Sequence, residues 1–313
     1  MASFLVTGGA GFIGSHLVDA LVAQGDRVRV LDDFSSGYRE NLEHHAGRIE
    51  ILEGDVSDAA VATRAVAGMD YVLHEAALAS VPKSVDDPRR NHRVNVDGTL
   101  NLLLAAKDAG VRRLVLASSA AVYGDGAESP KHERMEPRPV SPYASAKLIG
   151  EVYCRQFTAA RWVDAVCLRY FNIFGPRQDP ASDYAAVVPI FVETLLRGGT
   201  PVIYGDGGQT RDFTYVANVV RANLLAVERD SARGGVFNIG CGGSYSVRDL
   251  HARLAKILGT SAEPRYAPAR QGDVRTSEAS LETTRQGLGF EPKVGFEEGL
   301  ALTCAWYRKK VAA

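Results

Sequence analysis

Cysteine is scarce in this sequence, and its spacing argues against two structural classes. The four cysteines are scattered along the chain and form no C-x-x-C pair: Cys154, Cys167, Cys241 and Cys304. Zinc sites and disulfide frameworks need cysteines at close or regular spacing, so we expect neither, and the composition fits a reducing cytoplasm. The adjacent His44 and His45 have no third ligand at a suitable spacing, so we expect no metal site there.

The sequence also lacks a dominant charge and any long apolar run. It contains 36 Lys and Arg against 37 Asp and Glu, a net charge of -1, so no global field attracts nucleic acid or an anionic membrane. No stretch is apolar enough to span a bilayer, and the first residues lead into a strand without the basic region of a signal peptide. We therefore expect a soluble cytoplasmic protein that binds neither nucleic acid nor membrane.

Hydrophobic residues make up 46% of the chain and charged residues 23%, the usual balance of a globular protein. A length of 313 residues suits one large α/β domain, or one large and one small domain. Predicted strands alternate with predicted helices through the first half of the sequence. This alternation favours a doubly wound parallel sheet.

A glycine-rich turn follows the first predicted strand, residues 4–6. Gly8, Gly9, Gly11 and Gly14 precede a segment with apolar residues at helical spacing. Glycines between a strand and a helix allow the backbone to approach a pyrophosphate at the helix N-terminus, so this turn predicts a dinucleotide site. Asp32 ends the next predicted strand, where a carboxylate can accept both ribose hydroxyls and repel a 2′-phosphate. That position favours NAD over NADP.

The segment beginning at Ser141 predicts a catalytic helix. Ser141 is a suitable N-cap and Pro142 suits the first helical position. Tyr143 and Lys147 are four residues apart and therefore share one helical face. A lysine ammonium and a helix N-terminus both lower the pKa of a phenol, so we expect Tyr143 to act as a phenolate base. Taken alone, the pair also fits an amphipathic helix in which the two side chains meet by chance.

Together, the glycine turn, Asp32, Asn95, the strand end at Ser118-Ser119 and Tyr143-x-x-x-Lys147 are typical of one family. The sequence resembles the extended short-chain dehydrogenase/reductases, and more closely the nucleotide-sugar 4-epimerases, over nearly its whole length. This resemblance implies a Rossmann-type doubly wound parallel sheet with a smaller mixed α/β substrate domain. It places the NAD-binding domain in residues 1–170 and the nucleotide-sugar domain in 171–313, with the two interleaved.

The resemblance also implies the site residues. The catalytic residues are Ser119, Tyr143 and Lys147. The NAD-binding residues are Gly8, Gly11, Phe12, Ile13, Gly14, Asp32, Asp33, Ser36, Gly37, Asp55, Val56, Ala76, Ala77, Asn95, Ala117, Tyr143, Lys147 and Tyr170. The substrate-binding residues are Ser80, Ser118, Ser119, Phe171, Asn172, Ala186, Val187, Val202, Tyr204, Arg211, Arg270, Asp273 and Ser277.

The residues after Ser119 indicate which reaction to expect. In the resembled family, 4,6-dehydratases carry an Asp-Glu pair there and decarboxylases a glutamate, because both need a further titratable group. This chain has Ala120-Ala121, so we expect 4-epimerisation through a 4-keto sugar. Ser277 matches a position where a bulky residue excludes N-acetylated sugars. A small serine favours UDP-GlcNAc and UDP-GalNAc, with UDP-glucose and UDP-galactose as a second pair.

Three alternatives stay open at this point: an epimerase restricted to UDP-glucose, a UDP-uronic acid epimerase, and a non-catalytic dinucleotide sensor. A sensor typically lacks the tyrosine or the lysine, and both are present here. The resemblance further implies a homodimer formed by the helices that contain Asn95 and Tyr143. The apolar residues that fit such an interface, or equally the protein's own core, are Leu100, Leu103, Leu104, Ile149, Val152 and Tyr153.

Overall fold

A seven-stranded parallel sheet lies at the centre of the computed structural model, which describes residues 1–181, 186–269 and 275–312. The strands of the described residues are β1 (Ser3–Thr7), β2 (Arg27–Asp32), β3 (Glu50–Glu53), β4 (Tyr71–His74), β5 (Arg113–Ser119), β6 (Asp164–Tyr170), β7 (Ile173–Phe174), β8 (Val202–Tyr204), β9 (Thr210–Arg211), β10 (Thr214–Tyr215), β11 (Val236–Ile239), β12 (Tyr245–Ser246), β13 (Arg265–Ala267) and β14 (Thr276–Ser277).

The helices pack on both faces of this sheet and in the C-terminal region. They are α1 (Phe12–Ala23), α2 (Ala59–Val66), α3 (Val81–Asp86), α4 (Pro88–His92), α5 (Gly98–Ala109), α6 (Pro142–Ala159), α7 (Val187–Leu196), α8 (Val216–Glu228), α9 (Val247–Leu258), α10 (Glu282–Leu288) and α11 (Phe296–Ala312). Within the described ranges, none of these helices combines the length and apolar character that crossing a bilayer requires.

The order of strands in the large sheet is β11-β6-β5-β4-β1-β2-β3, which confirms the predicted doubly wound parallel sheet. From β1 the chain winds outward through β2 and β3, then returns to β4 on the other side of β1. Thr7 is paired with Leu31 of β2 and with His74 of β4. Ligands of such sheets bind where the winding reverses, at the carboxyl ends of the strands. Here that point is the crevice above β1 and β4.

Both faces of the sheet are buried because its strands are apolar on both sides. Helices α1 and α8 cover one face, where Leu17, Val18 and Val219 are fully buried. Helices α2, α5 and α6 cover the other face, where Leu102 and Phe157 are buried. Two-sided burial is typical of parallel sheets and holds the strand ends in fixed positions.

A third apolar cluster lies in the C-terminal region, where α7, α9 and α11 pack around Phe174, Phe191 and Tyr307. Short strand pairs accompany it, among them β9 between β12 and β14. The chain nevertheless returns to the large sheet, because α8 covers it and β11 pairs with β6. The division at residue 170 therefore stays a prediction, and the two predicted units are interleaved.

The helical region that contains Asn95 is interrupted. α4 ends at His92, a wide π-type turn occupies Arg93–Asp97, and α5 continues to Ala109. The wide turn contains Asn95, whose side chain binds the backbone of Leu78 on a neighbouring loop. Such turns often occur at functional sites, since they displace one side chain from the regular helical position.

Candidate active site

The glycine-rich turn joins β1 to α1 and approaches the loop after β4 very closely. Gly8 has a φ of +66°, and a Cβ atom there would lie 2.7 Å from the backbone nitrogen of Ala76. A Cβ atom on Gly14 would overlap the carbonyl oxygen of Gly8. Gly11 is the residue before α1, whose first residues are Phe12 and Ile13. Because Gly11 has no side chain, it cannot cap the helix. The first amides of the helix can therefore serve an anion such as a pyrophosphate.

Asp32 lies at the carboxyl end of β2, buried against this turn. Its Oδ2 accepts a hydrogen bond from the Ala10 nitrogen at 2.8 Å, and its Oδ1 accepts one from the Phe34 nitrogen at 2.9 Å. A Cβ atom on Gly37 would lie 2.9 Å from Oδ1, so only glycine fits beside the carboxylate. Burial raises the pKa of Asp32. Each oxygen can still accept a further hydrogen bond, which suits a ribose diol.

Other predicted cofactor residues follow neighbouring strands at the same edge of the sheet. Asp33 and Ser36 are exposed in the loop after β2. Asp55 follows β3 and accepts a hydrogen bond from the Ser57 nitrogen at 2.8 Å, and Val56 beside it is buried. Ala76 and Ala77 follow β4, half-buried. The shared edge fits an extended dinucleotide, and the NAD contacts themselves remain predictions.

The structure brings Ser119, Tyr143 and Lys147 together. Ser119 ends β5, and α6 begins as predicted, with the Ser141 side chain accepting from the Ala144 nitrogen at 3.2 Å. Lys147 is buried; its Nζ donates to the Ala117 carbonyl at 2.7 Å and lies 5.8 Å from the centre of the Tyr143 ring. A hydroxyl, a phenol and an ammonium thus converge at the end of the central strand.

Burial changes the pKa values of Tyr143 and Lys147 in this cluster. Burial raises the pKa of Tyr143; a hydrogen bond with Ser119 acts against this rise, and the charge of Glu75 adds to it. Burial also lowers the pKa of Lys147 to about 8, although the carboxylates of Glu75 and Glu151 oppose that change. Burial thus opposes the ionisation of Tyr143, and its role as a phenolate base stays a prediction. Since burial disfavours the phenolate, a further positive charge is needed, and the nicotinamide of NAD would supply one.

Ser118 and Phe171 are placed differently from the sequence prediction. The Ser118 hydroxyl is buried on the other face of β5, because successive strand residues alternate, and it donates to Glu151 at 2.5 Å. The Phe171 side chain is fully buried in a small cluster with Val122 and Tyr123. Both side chains are buried among protein groups, which indicates structural roles, and their predicted substrate contacts stay predictions. Asn172, next to Phe171, is exposed at a φ of +37° and remains a candidate substrate contact.

Asn95 has a positioning role in the structure, and its predicted contact with NAD stays a prediction. Its Oδ1 accepts from the Leu78 nitrogen at 2.8 Å, and its Nδ2 donates to the Leu78 carbonyl and to Asn91 Oδ1. Asn91 in turn donates to the carbonyl of Pro142 at 3.0 Å. The pair therefore ties the loop after β4 to the start of α6. This network holds the backbone immediately before Tyr143 in place.

The predicted substrate residues of the C-terminal half border a second set of short strands. Arg211 ends β9 and is paired in register with Ser277 of β14, and both side chains are half-buried. Val202 and Tyr204 begin and end β8. Ala186 and Val187 stand at the N-terminus of α7, and Ser80 caps α3 by accepting from the Lys83 nitrogen. Arg270 and Asp273 lie outside the described residues.

Sequence reasoning missed two buried acidic residues of this region. Glu75, after β4, accepts a hydrogen bond from the Tyr170 hydroxyl at 2.7 Å. Glu151 accepts from Nε and Nη2 of Arg169 at 2.9 and 2.7 Å, and both side chains of that pair are almost fully buried. A signal existed for the second pair: Glu151 is one helical turn beyond Lys147, and Arg169 interrupts an otherwise apolar strand.

The adjacent histidines also gain a partner that the sequence did not reveal. His44 and His45 each place Nε2 at 2.8 Å from Oδ1 of Asp19, which lies on α1. These are three residues of metal-binding type, so the argument that a third ligand is missing is corrected. The other oxygen of Asp19, however, accepts from Arg177 at 2.8 Å. Arg177 thus compensates the charge of Asp19. The cluster is better explained as a structural link between α1 and the segment after β7.

Comparison with known proteins decides the family. Residues 4–240 match the profile of the NAD dependent epimerase/dehydratase family. The chain belongs to this family. NAD is accordingly its cofactor, and the assignment of the glycine turn, Asp32 and the Ser119–Tyr143–Lys147 cluster to its site stays a prediction. The resemblance inferred from the motifs is confirmed.

Three similar proteins are 4-epimerases. The chain is 43% identical over 312 residues to the UDP-glucose 4-epimerase of Mycolicibacterium smegmatis, and 98% of each chain is covered. The structure of the UDP-N-acetylglucosamine 4-epimerase from Methanobrevibacter ruminantium, in complex with UDP-N-acetylmuramic acid, matches with a TM-score of 0.94 at 40% identity. The UDP-glucose 4-epimerase of Thermotoga maritima, with UDP-glucose, has the same TM-score at 42% identity. Each comparison covers 99% of both chains. The protein is an NAD-dependent isomerase of this 4-epimerase type.

Proposed function

We propose that this protein is a UDP-sugar 4-epimerase that interconverts UDP-GlcNAc and UDP-GalNAc, with UDP-glucose and UDP-galactose as a second pair. The observation that carries the choice of sugar is Ser277, a small half-buried residue paired in register with Arg211. A small side chain beside a diphosphate-binding arginine leaves room for an N-acetyl group. The structures from Methanobrevibacter and Thermotoga match equally well, so overall likeness does not select the sugar.

In the proposed reaction, ionised Tyr143 accepts the proton of the sugar 4-hydroxyl while Ser119 holds the same oxygen by a hydrogen bond. When bound, NAD would supply a reversible hydride acceptor for C4 of the sugar. Lys147, one helical turn from Tyr143, keeps a positive charge beside the phenolate. We assign Arg211 to the diphosphate, which stays bound while the 4-keto sugar turns over. Ala120 and Ala121 bring no acid or base, so the reaction stops at epimerisation.

The test compares products from UDP-GlcNAc and, separately, UDP-glucose, using purified protein and following the sugars by chromatography. We expect both to be converted, UDP-GlcNAc faster, and both conversions to be lost in Tyr143→Phe. Ser277→Tyr should abolish conversion of UDP-GlcNAc and retain that of UDP-glucose, because the larger side chain fills the space beside Arg211. An unchanged preference in Ser277→Tyr would refute the assignment of Ser277. Conversion of UDP-glucose alone by the unaltered protein would indicate the restricted epimerase, and conversion of a UDP-uronic acid alone the third sugar class.

We also propose a homodimer formed through α5 and α6. Leu104 on α5 is 42% exposed and Val152 on α6 is 36% exposed, both unusually high for apolar side chains on neighbouring helices. Leu103, by contrast, is fully buried in the protomer's own core, so it is removed from the predicted interface. Paired helices from two copies would cover Leu104 and Val152.

A further inference from the structure

Glu75 interacts electrostatically with Tyr143 and Lys147, and the proposed reaction gives it no role. It follows β4 directly, and its backbone nitrogen donates to the Thr7 carbonyl at 3.2 Å. Its Oε1 accepts from the Tyr170 hydroxyl at 2.7 Å, and Asn223 Nδ2 donates to that same hydroxyl at 2.8 Å. The result is a fixed chain of hydrogen bonds that ends on the Glu75 carboxyl group.

The direction of this chain follows from Asn223. Its Nδ2 also donates to the Val219 carbonyl at 3.0 Å, and a carbonyl accepts only, so the amide nitrogen must face both partners. The Tyr170 oxygen therefore accepts from Asn223. The single proton of Tyr170 is then left for Glu75, which must act as the acceptor.

The same carboxyl group faces the catalytic side chains. Tyr170 is paired in register with Ser119 at the ends of β6 and β5. The charge of Glu75 favours the protonated form of Lys147 and raises the pKa of Tyr143, while burial raises the pKa of Glu75 itself to about 7. The neighbouring His74 is held between Thr7 and Thr99 and stays neutral, because burial lowers its pKa to about 3. Among the described groups, Glu75 is thus the anion that faces both Tyr143 and Lys147.

We propose that Glu75 is a positioning and charge-balancing residue, whose carboxylate is the counter-ion of Lys147 and of the oxidised nicotinamide in this buried site. The proposal rests on the assigned NAD site. Oxidised nicotinamide is cationic and reduced nicotinamide is neutral, so a nearby carboxylate stabilises the oxidised form. Glu75 therefore favours return of the hydride to the keto sugar, which limits loss of the enzyme in a reduced, inactive state. Its hydrogen bond holds Tyr170 next to Ser119.

Two matched variants separate charge from hydrogen bonding. Glu75→Gln removes the charge but keeps an oxygen that accepts from Tyr170. Tyr170→Phe removes the hydrogen bond and only part of the charge, because that bond favours the carboxylate form of Glu75. The measurement is the ratio of the dissociation constants of oxidised and reduced NAD, obtained by titrating each form into the full-length protein. The loss of a unit charge that favours the oxidised form in a partly buried site should change this ratio about tenfold.

We expect Glu75→Gln to weaken oxidised NAD about tenfold relative to reduced NAD, and Tyr170→Phe to change the ratio in the same direction but by less. Glu75→Asp, which restores the charge, should return the ratio toward that of the unaltered protein. Equal ratios in Glu75→Gln and the unaltered protein would overturn the proposal, as would a change in Tyr170→Phe as large as that in Glu75→Gln. If the unaltered protein binds NAD and converts UDP-sugars while the ratio does not respond, only this inference fails. If it binds neither form of NAD, the proposed function fails as well.

Discussion

The buried pair of Glu151 and Arg169 predicts a large loss of stability when one partner is removed. Glu151 accepts two hydrogen bonds from Arg169 and one from Ser118, and the two side chains are 1% and 4% exposed. Arg169→Met removes two of these three bonds and leaves a buried carboxylate without its cation. Removing one member of such a pair costs about 3–5 kcal/mol. We expect the free energy of unfolding to fall by about that amount.

The assay is equilibrium unfolding in urea, followed by circular dichroism. The matched control is Arg197→Met, because Arg197 pairs with Glu193 at 2.8 Å but its side chain is 64% exposed. An exposed pair of this kind contributes about 0–1 kcal/mol, so the control should unfold almost as the unaltered protein does. In the double variant Glu151→Leu/Arg169→Met, no buried charge of the pair is left, and much of the lost stability should return. If Arg169→Met lies within about 1 kcal/mol of the control, the argument from burial is wrong.

Three shorter predictions concern the cofactor turn, the pH dependence and the interface. Gly8→Ala should lose NAD without unfolding, because the new Cβ would lie 2.7 Å from the Ala76 nitrogen. The measurement is the amount of NAD that stays bound through gel filtration, and full retention would contradict the prediction. Burial raises the pKa of Glu75 from 4.5 to about 7, so the folded state holds a proton there that the unfolded state has released. Stability should therefore fall as the pH rises through this window, and Glu75→Gln should flatten that slope in thermal unfolding; an equal slope would argue against a buried carboxyl. Leu104→Lys should convert the proposed dimer to a monomer in light scattering, whereas a dimer unaffected by both Leu104→Lys and Val152→Lys would place the interface elsewhere.

Local spacing was enough to predict the parts of the site that depend on neighbours in sequence. Ser141 and Pro142 mark the start of α6, and Tyr143 and Lys147 share a face because helical residues four apart always do. The glycine turn and Asp32 are similarly encoded by a strand, a helix and the end of the next strand. These features need only the period of each element and the chemistry of each residue type.

Tertiary structure decided which of these side chains meet and what their surroundings do to them. Ser118 and Ser119 are the same residue type and adjacent in sequence. Because side chains alternate along β5, the Ser118 hydroxyl contacts Glu151 and the Ser119 hydroxyl lies at the catalytic cluster. Burial raises the pKa of Tyr143, an effect that the lysine one turn away does not reveal.

The longest-range contacts were the least visible in the sequence. Glu75 meets Tyr170, Ser277 meets Arg211, and Asp19 meets His44 and His45 only because separate strands and helices bring them together. Sequence alone thus determined the family and the cofactor and predicted the catalytic residues, since these depend on local motifs. Packing decided the balance of charges around Tyr143 and the position of Ser277 beside Arg211. Burial and the distances between remote residues exist only in the folded chain.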